Sequence, residues 1–158
     1  MSNLTKSLYL GKAGERYVMS EFLARGWNVA MPDVDIGDDI FVVGDNLGIF
    51  QRIQVKTAQA TIRGTGYSAQ FNLSIKSMQA SVGENLHFVF VVRKDEQWAD
   101  ILIIKDKALQ DFYETNVQND VPKENFVLYF SFQEAAITCL KVDFTSFRRN
   151  FNDFPAIL

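Results

Sequence analysis

The chain has 158 residues, 47% of them hydrophobic and 22% charged, with a formal net charge of −3. This composition predicts one domain over 1–158, and it excludes both a disordered chain and a surface that is basic all round. One cysteine (Cys139) and one histidine (His87) exclude a disulfide framework, a Cys-rich zinc centre and a His-pair mechanism.

No apolar run approaches the roughly 18 residues that cross a bilayer. The N-terminus lacks the long apolar core and small-residue cleavage site of a signal peptide, so a cytoplasmic location is expected. Residues 5–25 are predicted to form the first helix, capped by Thr5 or Ser7 and closed by Gly26. Leu8, Gly11, Glu15, Val18, Met19 and Phe22 fall on one side of it, with Lys12, Arg16 and Ser20 towards the outside. Glu15 is the anomaly, because a carboxylate on an apolar face is costly unless it is paired or coordinated. Gly11 and Gly14 are expected to let this helix approach its neighbour closely.

A short strand is expected at Trp27–Ala30, stopped by Pro32, and then an acid-rich turn over 33–39. Strands 39–43 and 49–57, joined by Asp45-Asn46-Leu47-Gly48, have hairpin chemistry. Arg63-Gly64-Thr65-Gly66 is expected in a flexible loop. Further on, a strand over 70–75, one or two helical turns over 76–82, a strand over 86–92 buried on both faces and a partner strand over 98–104 are predicted. A helix over 105–117, a polar loop over 116–123 and strands over 126–132 and 137–142 follow. Phe144, Phe147, Phe151 and Phe154 recur at helical spacing, which predicts a last helix over 144–154. Cys139 lies in an apolar run and is expected to be a buried, inert thiol, and His87 a structural residue. The order of elements predicts an α/β (α+β) chain with the first helix on a central mixed sheet and helices on its flanks.

The chemistry concentrates between residues 35 and 57. Strand residues i and i+2 share a face, so Gln54 and Lys56 project together and Val55 away from them. Asp39 is expected opposite residue 54 across the hairpin, with Asp35 and Asp38 as alternative acids, and the first helix is expected to bring Glu15 over the set.

This pattern resembles the PD-(D/E)XK nuclease superfamily, the restriction-endonuclease-like fold. Glu15 within Gly14-Glu15-Arg16, Asp39 before an apolar strand, and Gln54-Val55-Lys56 carry the likeness, which is similar to Holliday-junction-resolvase-like and uncharacterised nuclease-like members. It covers residues 8–57 by motif and the remainder by element order. The resemblance implies hydrolysis of DNA phosphodiesters with Mg²⁺ or Mn²⁺. Asp39 would bind the ion, with the Gln54 side-chain oxygen in the place of a second acid and the Val55 carbonyl as a further ligand. Lys56 would orient or help deprotonate the attacking water and stabilise phosphate charge, and Glu15 would hold a second ion or its water. Gln54 departs from the family, which usually has Glu or Asp there. The lost charge lowers metal affinity unless Glu15, Asp35 or Asp38 compensates. Lys12, Arg16, Arg52, Arg63 and Lys76 are the basic residues expected to meet phosphate. The absence of a helix-turn-helix or zinc-finger motif argues against base-specific reading. Two rival readings are a weak or inactive nuclease-fold protein that binds nucleic acid or a protein partner, and an oligomerisation module. For the latter, the 14 phenylalanines are more than one small core easily hides, so some are expected on a homodimer face.

Overall fold

The computed structural model describes residues 3–34, 37–79, 85–117 and 124–157. Helix α1 (Asn3–Leu23) begins earlier than its expected caps, so Thr5 and Ser7 lie inside it, and the Ser7 hydroxyl donates to the Leu4 carbonyl at 2.7 Å. Its other end is the predicted one. Gly26 adopts φ +87°, its N–H reaches the Leu23 carbonyl at 2.9 Å, and the Trp27 N–H reaches the Phe22 carbonyl at 3.1 Å. This is the paired bonding of a Schellman ending, in which glycine meets the left-handed backbone without a Cβ penalty.

The chain continues through β1 (Asn28–Ala30), β2 (Ile40–Gly44), β3 (Ile49–Gln59), β4 (Thr61–Arg63), β5 (Gly66–Ser74), α2 (Ile75–Gln79), β6 (Leu86–Lys94) and β7 (Gln97–Lys105). Then come α3 (Asp106–Asn116), β8 (Asn125–Phe132), β9 (Ile137–Cys139) and β10 (Val142–Asp143). The ends of the expected helical turns over 76–82 and of the polar loop over 116–123 lie outside the described residues.

Two five-stranded sheets form, the expected mixed sheet with α1 on it and a second sheet beside it. The first has the order β1-β2-β3-β6-β7 and is mixed, since β3 and β6 run parallel while its other pairs are antiparallel. The second, β10-β9-β8-β5-β4, is antiparallel throughout. The expected flexible loop is where the second sheet starts. Gly64 takes φ +57°, and Arg63 pairs with Gly66, so the chain turns tightly into a hairpin.

Side-chain alternation divides the interior into two cores. Phe88, Phe90 and Val92 of β6 join Phe71 and Phe130 of the second sheet in one core, between the sheets. Val89 and Val91, with Ile53 and Val55 of β3, join Val18 and Phe22 of α1 in the other. Strand β6 is therefore buried on both faces from Leu86 to Val92, as its apolar run predicted.

No helix forms over 144–154. A single 3₁₀ turn (Thr145–Phe147) is followed by irregular chain, with Arg149 at φ +48°. The reason is packing. Phe144 belongs to the core between the sheets, whereas Phe151 and Phe154 belong to the core beneath α1. One straight helix cannot reach both faces of a sheet. The expected surplus of phenylalanine at the surface is also absent: Phe50 is the one strongly exposed phenylalanine among the described residues, and Leu4, Leu8 and Tyr9 of α1 are the exposed apolar residues of the first helix. Leu8 thus lies beyond the part of the apolar stripe that the sheet covers, and Leu23 at the other end of the helix is exposed as well. Cys139 is buried, and burial pushes its thiol up to about 11, so it is inert at neutral pH. No helix among the described residues is long and apolar enough to cross a membrane.

Candidate active site

Strands β2 and β3 are paired only from Gly44↔Ile49 to Ile40↔Ile53. Beyond Ile53, β3 keeps β6 on one side as far as Gln59, and β2 no longer flanks it on the other. Asp39 stands at this fork. Its N–H donates to the Ile53 carbonyl at 3.0 Å, and its carboxylate accepts the Val55 N–H at 2.7 Å. The residue therefore bridges across Gln54, which is where hairpin counting had placed it. The N–H and C=O of a strand residue point to the same side, so the Val55 carbonyl faces the fork beside the Asp39 carboxylate.

Gln54 and Lys56 lie opposite Phe88 and Phe90 of β6, on the face that looks towards the second sheet. Gln54 is buried and Lys56 half-buried, and Lys56 forms no hydrogen bond or ion pair with any described residue. Helix α1 packs on the opposite face. A Cβ at Gly14 would stand 1.9 Å from Thr57 Oγ1, so the helix is seated against β3 through this glycine. Gly11 has nothing within 4 Å of such a Cβ, so of the two glycines only Gly14 serves the close approach. Glu15 follows Gly14, is 8% exposed, and its two oxygens accept from Lys12 Nζ at 2.8 and 3.0 Å. Contrary to expectation, α1 does not lay Glu15 over Gln54 and Lys56. The two sets lie on opposite faces of β3 with its open edge between them.

Asp38, adjacent to Asp39, is engaged elsewhere. It forms a two-pronged pair with Arg52 at 2.7 and 3.0 Å, and this hydrogen bond raises the guanidinium pKa against the lowering effect of burial. Asp35 lies outside the described residues. Arg16, Arg63 and Lys76 are exposed on α1, β4 and α2, three separate elements, and Lys12 is the partner of Glu15.

No protein-family model and no curated protein matches this sequence. Among solved structures, it is similar to a bacterial homing endonuclease, I-Ssp6803I, with a TM-score of 0.53 and 13% identity, over 90% of this chain and 86% of that one. Archaeoglobus fulgidus Hjc, a Holliday junction resolvase, aligns with a TM-score of 0.46 and 14% identity over 74% of this chain and 81% of that one.

The chain shares the fold of this homing endonuclease. Within this fold, the candidate donors are all hard oxygens: the Asp39 carboxylate and the Val55 carbonyl at the fork, and the amide oxygen of Gln54 on the adjoining face. Such a set fits Mg²⁺ or Mn²⁺, ions that accept one carboxylate with neutral oxygens and keep several waters. It does not fit a softer metal. Among the described residues, no three His, Cys, Asp or Glu side chains converge on one point. The site is therefore low in charge, and Lys12 competes for Glu15.

A second polar group in this fold was not visible in the sequence. His87 is 1% exposed, and its Nε2 lies 3.0 Å from Asp153 Oδ2. Lys105, opposite His87 on β7, lies 3.2 Å from the other Asp153 oxygen. Burial lowers the His87 pKa and outweighs the opposing pull of Asp153. Sixty-six residues separate His87 from Asp153, so no local spacing could have paired them.

Proposed function

We propose that this chain is a metal-dependent endonuclease that hydrolyses phosphodiester bonds in DNA. The observation that carries this reading is the fork in a fold shared with a homing endonuclease, where Asp39 is held on the Val55 N–H beside Gln54, and Lys56 pairs with no described residue. A divalent cation, Mg²⁺ or Mn²⁺, supplies Lewis-acid polarisation of the phosphate and of water when bound. Asp39, the Val55 carbonyl and Gln54 are the residues that hold it. Lys56 presents an ammonium, free of competing carboxylates, to the attacking water and to the charge that grows on the phosphate. Glu15 enters from the other face of β3 once Lys12 is drawn away by a phosphate. Arg16, Arg63 and Lys76 are the exposed cations that would contact the backbone of the strand.

The test is incubation of the protein with supercoiled, branched and single-stranded DNA in Mg²⁺ or Mn²⁺. Wild type is expected to cleave at least one of them, and Lys56→Ala to lose at least about 100-fold, the contribution typical of a positioned acid–base group. Absence of cleavage by wild type, or equal cleavage by Lys56→Ala, rejects the enzymatic reading. A second reading, a nuclease-fold protein that binds nucleic acid without cutting it, is favoured by two observations. Gln54 removes a charge, and Lys12 already occupies Glu15. DNA binding without cleavage in either metal is the outcome that selects it.

A further inference from the structure

A cavity of about 600 Å³ opens at the start of β6, between the first half of β3, the end of β7 and the start of α3. Its lining includes Ile49, Gln51, Leu86, His87, Lys105 and Lys107. Two of these residues carry a buried polar atom without a hydrogen-bond partner, Gln51 Oε1 and His87 Nδ1. Buried polar side-chain atoms are nearly always paired, so two orphans on the wall of one cavity point to a ligand.

Both orphans are acceptors. The Asp153 carboxylate accepts the His87 Nε2–H, which leaves the lone pair on Nδ1, and burial favours the neutral imidazole. Of the acids on the wall, Asp153 is engaged by His87 and Lys105, and Asp106 accepts the Gln110 amide through Oδ2 at 2.6 Å, with its Oδ1 a further buried acceptor. What is missing is a donor. Ile49 and Leu86 offer apolar contact for a flat ring, while Lys105 and Lys107 place two ammonium groups, 54% and 76% exposed, at the mouth. The volume lies in the range of small-molecule sites, roughly 300–1,000 Å³.

We propose that this cavity binds one nucleoside monophosphate unit whose base carries an exocyclic amino group, as adenine, cytosine and guanine do and thymine does not, with the amine donating to Gln51 and His87 and the phosphate on Lys105 and Lys107. The unit is either a free mononucleotide or an unpaired nucleotide of a strand. Gln51 precedes Gln54 by three residues on β3, about 10 Å along the strand, and projects from the opposite face, so the cavity is separate from the fork. The site goes beyond the nuclease reading and does not depend on it.

Calorimetric titration in EDTA tests the site without cleavage. Titrants are dAMP, dCMP, dTMP and inorganic phosphate, and two duplexes, one with a single unpaired dA and one fully paired. Saturable binding of dAMP or dCMP is expected, with dTMP and phosphate weaker by about tenfold or more, because a thymine lacks the amine. Gln51→Leu is expected to lose about tenfold, and Gln51→Glu, which keeps an acceptor, to retain binding. Preference for the bulged over the paired duplex, lost in Gln51→Leu, assigns the unit to a strand. Binding of the free nucleotide alone assigns it to a mononucleotide. No saturable binding, equal binding of dTMP, or binding unchanged in Gln51→Leu overturns the proposal, and waters then complete the two acceptors.

Discussion

Asp38 and Asp39 are neighbours in sequence with different partners. Asp38 faces Arg52 across the hairpin and is occupied by it, whereas the Asp39 carboxylate accepts the Val55 N–H at the fork. Asp39→Asn retains an acceptor for the Val55 N–H and loses only the charge. It is expected to fold and to lose the rise in melting temperature that Mn²⁺ gives wild type, while Asp38→Asn keeps that rise. Equal stabilisation of Asp39→Asn would place the ion elsewhere. His87 makes a second case at this scale. Its pKa is lowered by burial, so the unfolded chain takes up a proton below about pH 6.5 while the folded chain does not. The group's contribution to stability is therefore complete above that pH and declines as pH falls towards the folded pKa. Burial tends to raise the Asp153 pKa, but its bonds from His87 and Lys105 outweigh this and hold it below the usual carboxylate range. Its contribution is present above the unfolded carboxylate pKa of about 4 and is lost only as pH falls through the lower folded value. Urea midpoints measured between pH 7.5 and 5.5 are expected to fall in wild type and to be flatter in His87→Gln.

Helix α1 and strand β3 are the elements that set the fork. The helix sits against β3 because Gly14 has no side chain to collide with Thr57. An added Cβ would meet Thr57 Oγ1 at 1.9 Å and its Cβ and Cγ2 at 3.0 Å. Rotating the threonine only exchanges one γ substituent for another, so the helix must move. Gly14→Ala is expected to cost about 1–3 kcal/mol in urea unfolding, the usual range for overpacking. Gly11→Ala, with open space around it, is expected to be neutral or to stabilise by up to about 1 kcal/mol, from helix propensity. If both substitutions had the same effect, close packing at Gly14 would not be what seats the helix. Turn chemistry matters equally at the far end of the chain. Leu140 and Lys141 adopt φ +49° and +67° between β9 and β10, a primed-type turn without glycine or asparagine, so that hairpin has no local signature.

At the scale of the molecule, the two sheets are held in place by a buried polar clasp as well as by their shared apolar core. Asp100 of β7 lies 3.0 Å from Arg148 Nε, an ion-pair distance without the alignment of a good hydrogen bond, and it accepts from the Tyr67 hydroxyl of β5. Arg148 also donates to the carbonyls of Glu134 at 2.9 Å and Gln133 at 3.1 Å. Burial, then the Asp100 carboxylate, raises the Tyr67 pKa and keeps the phenol protonated. One carboxylate thus links the first sheet, the second sheet and the C-terminal segment. Arg148→Ala leaves that carboxylate buried without its cation and is expected to cost about 3–5 kcal/mol. Tyr67→Phe, which removes one hydrogen bond, is expected to cost less, about 1–2 kcal/mol. Denaturant unfolding of the two variants measures the order, and the reverse order would show that the ion pair is not what holds the clasp.

What the sequence determined by itself was local. The 3.6-residue and two-residue periods marked α1, β2, β3, β6 and β7, Gly26 marked the helix end, and counting back from the 45–48 turn put Asp39 across from Gln54. Those features depend on neighbours a few residues apart, and so does the placement of Asp39 beside Gln54 at the end of the hairpin. The tertiary structure decided which face each element covers. Glu15 and Lys56 fall on opposite faces of β3, Phe144 and Phe154 go to different cores, and a turn at Gly64 starts a second sheet. It also decided which charges are already used, Lys12 by Glu15 and Asp38 by Arg52, and it assembled His87, Asp153 and Gln51 around one cavity. Such choices follow from packing between segments distant in the chain, where periodicity carries no information about the partner.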